Sequence, residues 1–185
     1  MRVDARTNRA ALISAARRLI AAGGAKVSVN LIAEEAGVGI ATMYRHFPTR
    51  DDLLLGVAAD FRDSIVAVAE RAATEMAADA GTGWAAFVRD MAALRPGALM
   101  PELAAHAVDG PNSSDFAAFR AEVVAAVERV LDTARRAGLV RADVSATRFQ
   151  LGLATITRPL PAARIPELDD HEQWLVEVYL RGMRP

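Results

Sequence analysis

Residues 28–47 read SVNLIAEEAGVGIATMYRHF, and this stretch decides how the N-terminal part of the chain folds. Ser28 is a favourable N-cap for a short helix in which apolar residues recur every third or fourth position. Gly37 suits the left-handed backbone that ends such a helix. A second short helix is predicted from Ile40 to Phe47. Two short helices joined by a tight turn that contains glycine are typical of a helix-turn-helix.

The flanking sequence is also helical in pattern, and we predict an all-α fold. An apolar stripe from Leu12 ends at Gly23-Gly24, and Thr49 with Asp52 has the spacing of a capping box that starts a long helix, fading near residues 79–83. Further helices are predicted at about Trp84–Arg95, Pro101–Ala107, Ser114–Arg136, Ser145–Thr157 and Asp169–Gly182, with loops at residues 110–113 and 159–166. The predicted organisation is a three-helix head, residues 1–55, and a larger helical bundle, residues 56–185.

Charge is unevenly divided along the 185 residues, although the net charge is only −1. Residues 1–55 carry eight basic and five acidic side chains, a net charge of +3, and the remaining residues carry −4. A positive N-terminal part permits contact with a phosphate backbone. The chain has no cysteine, which fits a reducing cytosol, and charges interrupt every apolar run before membrane-spanning length. We therefore expect a cytoplasmic protein that does not bind membranes.

The N-terminal residues form a longer pattern that resembles the TetR family of bacterial regulators. It comprises Arg9-xxx-Ile13-xx-Ala16-xx-Leu19-xxx-Gly23, Ser28-Val29-xx-Ile32-Ala33-xx-Ala36-Gly37-Val38 and Thr42-Met43-Tyr44-Arg45-His46-Phe47-Pro48-Thr49-Arg50-Asp51-xx-Leu54. The match runs without a gap over most of the first 55 residues. The resemblance implies a DNA-binding head followed by a divergent domain for ligand binding and dimerisation.

The resemblance also implies roles for residues around the second short helix. The residues expected at the DNA are Ser28, Asn30, Ile40, Ala41, Thr42, Tyr44, Arg45, His46 and Arg50. The hydroxyl of Tyr44 and the guanidinium of Arg50 are expected on phosphates, with His46 near the same strand and Thr42 on a phosphate or a base edge. Base reading would fall to the outward positions Ile40, Ala41 and Arg45, and to Asn30.

Each role has an alternative that the sequence leaves open. Arg45 can contact phosphate instead of a guanine, and Asn30 can be an ordinary surface residue. Ile40 either meets a thymine methyl or packs inward. Tyr44 can half-bury its ring, and Ser28 is first of all a helix cap, with any phosphate contact secondary.

The middle helices supply apolar and aromatic residues for an effector cavity. The candidate lining residues are Phe61, Trp84, Phe87, Met91, Met100, His106, Phe116 and Phe119. Each of them, taken singly, fits ordinary core packing better. The last helix carries a stripe that we expect to pair with a second copy, formed by Trp174, Leu175, Val178, Tyr179 and Met183. Packing within one subunit is the alternative.

These features predict a transcriptional regulator, and specifically a repressor that a small-molecule effector releases from its operator. The partners expected are a pseudo-palindromic DNA operator, a second copy of the chain and an unidentified small molecule; no other cofactor is expected. Activation and co-repression remain open, as does a helical small-molecule-binding protein with a non-functional head. Enzyme and metal readings are disfavoured, because the three histidines lie far apart and no GxSxG, GxGxxG, P-loop or HExxH pattern occurs.

Overall fold

The computed structural model describes residues 2–23, 27–107, 111–160 and 168–185. All regular structure in these ranges is helical, which confirms the predicted all-α fold. The helices are α1 (Arg2–Gly23), α2 (Val29–Glu35), α3 (Ile40–His46), α4 (Arg50–Ala78), α5 (Ala80–Ala93), α6 (Pro96–Ala107), α7 (Ser113–Arg136), α8 (Ala146–Ile156) and α9 (Leu168–Gly182). None of these helices combines the length and apolarity needed to span a membrane.

Two helices begin earlier than the sequence pattern predicts. The break expected at residues 79–83 shrinks to Asp79, whose carboxylate accepts a hydrogen bond of 2.8 Å from the amide of Thr82 and so starts α5. The next helix, α6, starts at Pro96 and contains Pro101, which was expected to begin it. Proline suits a first helical position, and burial of Leu99 favours the longer helix. Gly24, residue 110 and residues 161–166 of the predicted cap and loops lie outside the described residues.

Side chains and glycines close the helix ends as the sequence predicts. The Oγ of Ser28 accepts a hydrogen bond from the amide of Leu31 at the start of α2. Thr49 and Asp52 form the reciprocal hydrogen bonds of a capping box. Gly37 has φ of 64°, and the amides of Gly37 and Val38 donate back to the carbonyl groups of α2 in the pattern of a Schellman turn.

The chain divides into two compact units. The first comprises Met1–Phe61 and Ala98–Phe119, and the second comprises Arg62–Gly97 and Arg120–Pro185. The domain boundary predicted between residues 55 and 56 lies inside α4 and stays a prediction.

The first unit is built around α1, α2 and α3, which pack on one another. Its core is aliphatic, with buried Leu12, Ile20, Ile32 and Leu54. Burying such side chains contributes on the order of 1.5–3 kcal/mol each, which fixes the two short helices that could not persist alone.

The second unit contains α5, α8 and α9, which also pack on one another. Aromatic rings fill its centre. Phe87 and Phe149 stack at 5.6 Å between centroids, and Trp84 and Tyr179 lie 5.9 Å and 6.1 Å from Phe149. Phe149 is fully buried.

Candidate nucleic-acid interface

The recognition helix α3 has one buried side. Met43 and Phe47, at the middle and the end of this helix, are both almost completely buried. The guanidinium of Arg9 on α1 lies over the Phe47 ring, 5.1 Å from its centroid. These contacts fix the rotation of α3 about its own axis, so its other side must face away from the first unit's core.

The outward side of α3 carries most of the residues that the sequence proposed for DNA. Ile40 is 43% exposed and Tyr44 is 51% exposed, and they lie one helical turn apart. Ala41 and Arg45 are exposed beside them, as are Asn30 and Ser28 on the neighbouring segment. Thr42 and His46 are partly exposed. The structure therefore exposes most of the predicted set, and which of these residues touches DNA stays a prediction.

Two of these side chains are hydrogen-bonded to each other. The Nη2 of Arg45 donates to the Oγ1 of Thr42 over 2.7 Å. The bond holds the guanidinium against the surface of α3. The alternatives that the sequence left for Arg45 therefore remain.

Arg50 has partners within the chain. Its Nη1 donates to the carbonyl oxygen of Val27 over 2.8 Å, and its Nη2 donates to Oε1 of Glu102 over 2.8 Å. The phosphate contact expected for Arg50 stays a prediction, but the side chain already links α6 to the residue before α2.

Part of the positive charge predicted for the head is neutralised within the chain. Arg17 pairs with Asp60, and Arg18 pairs with Glu35 at 3.0 Å. Both pairs are at least partly exposed, so each contributes little to stability. Because Asp60 lies outside residues 1–55, the Arg17 pair lowers the charge of the head below the +3 counted from the sequence, whereas Glu35 is already included in that count.

Sequence reasoning missed Leu31, which is exposed on α2 next to Asn30. The sequence does indicate this exposure. The apolar stripe of α2 includes Ile32 and Ala33, which are buried, and Leu31 does not belong to that stripe. An exposed leucine beside an exposed asparagine gives α2 an apolar contact to offer as well as a polar one.

The residues proposed for an effector cavity fall in both units. Phe61, Met100, His106, Phe116 and Phe119 belong to the first unit, and Trp84, Phe87 and Met91 belong to the second. All are buried except Met100, which is exposed, and His106 and Phe119, which are partly exposed. The Nδ1 of His106 donates to the carbonyl oxygen of Glu102 over 2.9 Å, and its Nε2 lies 3.8 Å from Oδ1 of Asp51. Their role as a cavity lining stays a prediction.

The apolar stripe of α9 divides into an inner and an outer part. Met183 is buried within its own chain, and the hydroxyl of Tyr179 donates to the carbonyl of Phe149 over 3.0 Å. Burial raises the pKa of Tyr179 to about 12. Leu175 is partly exposed.

The outer part of α9 is available for contact. Trp174 is 58% exposed and Val178, one turn later, is exposed as well. The indole of Trp174 stacks on the ring of His171 with 5.9 Å between centroids. Leu151 on α8 is also exposed and was missed by sequence reasoning. Because α8 and α9 pack together, their exposed apolar side chains are typical of a surface that contacts another subunit.

Metal ligation finds no support in the part of the chain that the structure describes. No group of three or more histidine, aspartate or glutamate side chains is placed to hold an ion there.

Family comparisons match both parts of the chain. Residues 12–57 match the family described as bacterial regulatory proteins, tetR family. Residues 77–185 match the C-terminal domain described as transcriptional regulator SbtR-like, and this match alone covers more than half of the chain.

Individual proteins are also similar to this chain. An HTH-type transcriptional regulator of Staphylococcus aureus strain USA300 is 43% identical over 54 residues, which span 29% of this chain and 29% of that regulator. The crystal structure of a TetR transcription regulatory protein from Mycobacterium vanbaalenii is 31% identical, with a TM-score of 0.64 over 100% of this chain and 99% of that chain. A TetR transcriptional regulator from Streptomyces coelicolor is 25% identical, with a TM-score of 0.64 over 96% and 98% of the two chains. The TetR-like regulator LfrR from Mycobacterium smegmatis, in complex with proflavine, shares the fold at 21% identity, with a TM-score of 0.68 over 96% and 94%.

Proposed function

Because the chain belongs to the TetR family of bacterial transcriptional regulators, we propose that it represses transcription from a pseudo-palindromic operator and leaves that operator when a small molecule binds. Members of the family are DNA-binding regulators and not enzymes. Membership of the family does not by itself imply repression, a two-fold operator or release by an effector, and these three properties are our proposal. Its site of action would be the cytoplasm, where bacterial DNA lies.

The outward side of α3 is the observation that carries the proposal. An aliphatic, an aromatic and a cationic side chain, Ile40, Tyr44 and Arg45, are exposed there while Met43 is buried behind them. Their chemistry matches a major groove, since an aliphatic group can meet a thymine methyl and a guanidinium can meet guanine or phosphate. The hydroxyl of Tyr44 is a suitable donor to a backbone phosphate.

A homodimer is supported by the exposed apolar residues of α8 and α9. Leu151, Trp174 and Val178 would lose contact with water if a second copy packed on these helices. A two-fold pair of heads would then contact half-sites one helical turn apart or a multiple of it. A ligand that favours a head spacing incompatible with those half-sites would release the operator by population shift.

An effector is supported by unpaired polar groups in the second unit. The Nε1 of Trp84 and the Nε2 of Gln150 are buried donors that have no hydrogen-bond partner among the described residues. An unpaired buried donor costs about 1–3 kcal/mol, so a ligand that brings acceptor oxygens would recover that free energy. The complex of LfrR with proflavine shows that this fold can hold a small molecule.

The DNA-binding test starts from an operator selected from random double-stranded DNA by the full-length chain. Fluorescence anisotropy over a salt series then compares wild type with Tyr44→Phe, which should bind about tenfold more weakly because one phosphate hydrogen bond is lost. The same measurement is made on Arg45→Ala. Its matched control is Arg120→Ala, which removes an exposed arginine on α7 instead.

The salt series also decides the role of Arg45. If Arg45 reads a base, Arg45→Ala relaxes sequence preference at one position and keeps the salt slope. If it contacts a phosphate, the variant lowers the slope by about 0.9 and weakens all sequences equally. Failure of the wild type to enrich any sequence would refute the proposed DNA binding and leave a small-molecule-binding protein as the function.

Repression and release are tested with a reporter gene under the selected operator. Expression of the chain should lower reporter output, and Tyr44→Phe should restore part of it. Compounds that raise output again can be checked on Trp174→Phe protein, in which Trp84 is the sole tryptophan and its emission reports binding. Higher reporter output on expression of the chain would instead indicate an activator.

A further inference from the structure

Glu102 on α6 is a charged residue in a buried position. Its side chain is only 5% exposed, and among the residues that the structure describes no other charged residue is buried. A carboxylate in such a place is strongly destabilising unless it is paired. Its Oε1 accepts a hydrogen bond from the Nη2 of Arg50 at 2.8 Å, which provides the pairing.

The same guanidinium holds the segment that leads into the helix-turn-helix. The Nη1 of Arg50 donates to the carbonyl of Val27, the residue directly before the N-cap Ser28 of α2. Because a guanidinium is planar and its donors are fixed in direction, the bond to Glu102 also sets where the bond to Val27 points. The orientation of α2 therefore depends on a carboxylate of α6.

A second contact of the same helix supports this arrangement. His106 lies one turn after Glu102 on α6, and its Nε2 is 3.8 Å from Oδ1 of Asp51, the residue after Arg50. Two consecutive residues at the start of α4 thus meet two residues on one side of α6. All of these residues belong to the first unit.

We propose that Glu102 is a positioning residue for DNA binding, which holds Arg50 so that Arg50 fixes the start of α2 and, through the Gly37 turn, the outward side of α3. The proposal rests on the proposed DNA binding. Glu102 itself touches no DNA in this scheme, and the main task of Arg50 is to hold Val27 rather than a phosphate.

The test uses Glu102→Gln in the full-length chain, because glutamine keeps the shape and one acceptor oxygen but removes the charge. Hydrogen exchange should become faster in the amides of residues 29–46 when the charge-assisted bond is weakened. Affinity for the selected operator should fall about tenfold with an unchanged salt slope, since a weaker hydrogen bond from Arg50 to the neutral side chain holds Arg50 less firmly. Glu122→Gln is the control, because Glu122 pairs with Arg62 at 3.1 Å and is exposed, and it should change neither measurement.

A double variant guards against loss of folding. Arg50→Met/Glu102→Met removes both charges together, so no buried charge is left without a partner, and such replacements commonly preserve stability. It should fold, show the same fast exchange in residues 29–46 and bind the operator weakly.

Two results would overturn the proposal. One is wild-type exchange in residues 29–46 and wild-type operator affinity in both variants. The other is wild-type exchange with a salt slope lowered by about 0.9 in the double variant alone, which would make Arg50 a phosphate contact. Hydrogen exchange needs no DNA, so it decides the positioning role even if the proposed operator binding fails.

Discussion

Tyr44 on α3 and Phe149 on α8 are aromatic residues on short helices, yet their surroundings are opposite. Tyr44 is half exposed and no ring of the described residues stacks on it, whereas Phe149 is fully buried among Trp84, Phe87 and Tyr179. An aromatic side chain left in water on an otherwise well-packed helix contributes little to stability and is free to serve a partner. The comparison separates a side chain that is available to a partner, Tyr44, from one that the fold requires, Phe149.

The largest expected effect tests that separation directly. Phe149→Ala should lower the free energy of unfolding by about 3–5 kcal/mol, because it leaves a cavity inside the aromatic cluster. Tyr44→Ala should change it by less than about 0.5 kcal/mol. Urea unfolding at one fixed protein concentration, without DNA, measures both. An equal loss in the free energy of unfolding of the two variants would contradict this difference between Tyr44 and Phe149.

Close backbone packing within the second unit gives the next effect. A Cβ added at Gly97 would lie 2.5 Å from the amide nitrogen of Arg158 and 2.6 Å from the carbonyl carbon of Thr157, closer than real side chains come. Gly97→Ala should therefore cost about 1–3 kcal/mol in urea unfolding.

Gly81→Ala is the matched control for this substitution. Gly81 lies in the first turn of α5, and a Cβ there would meet only the Oδ1 of Asp79 at 3.5 Å. The control should be neutral or stabilising by up to about 1 kcal/mol, because alanine is the better helix former. A stable Gly97→Ala protein would mean that Gly97 lies farther from Thr157 and Arg158 than the structure shows.

The smallest expected effect is a pH dependence that arises from Tyr179, a member of the aromatic cluster. The pKa of Tyr179 is raised from 10.0 to about 12 by burial, so the hydroxyl stays protonated longer in the folded chain than in the unfolded one. Below pH 10 this residue adds no pH dependence. As the pH rises from 10 through 12 the unfolded chain loses the proton first, and stability falls.

Urea unfolding at pH 9 and pH 11 checks this expectation. Tyr179→Phe should lose less stability between the two pH values than wild type, since it has no phenol to titrate. An identical pH dependence in the two proteins would contradict the raised pKa of Tyr179.

Local sequence predicted the head closely. Ser28, Gly37, Thr49 and Asp52 each act within a few residues of themselves, as caps or turn residues, and the structure shows all four as expected. The starts of α5 and α6 were predicted too late, because glycines near α5 and Pro101 in α6 were taken to interrupt a helix and do not. Asp79 satisfies the first-turn amides of α5, and burial of Leu99 extends α6.

Long-range partners could not be predicted in the same way. Arg50 was expected to face a phosphate, and its pairing with Glu102, 52 residues later, has no trace in the spacing of the sequence. The outer and inner residues of α9 form one apolar stripe in the sequence. Only packing within the second unit distinguishes exposed Trp174 from buried Met183.

The amino-acid sequence alone therefore determined the helix-turn-helix, its buried and outward sides and the family, because helical periodicity, caps and a left-handed glycine act over one or two turns. The tertiary structure decided which charges are neutralised, which aromatic rings fill the core and what Arg50 holds. Those outcomes depend on contacts between residues far apart in the chain, and their free energies appear only when burial brings the partners together.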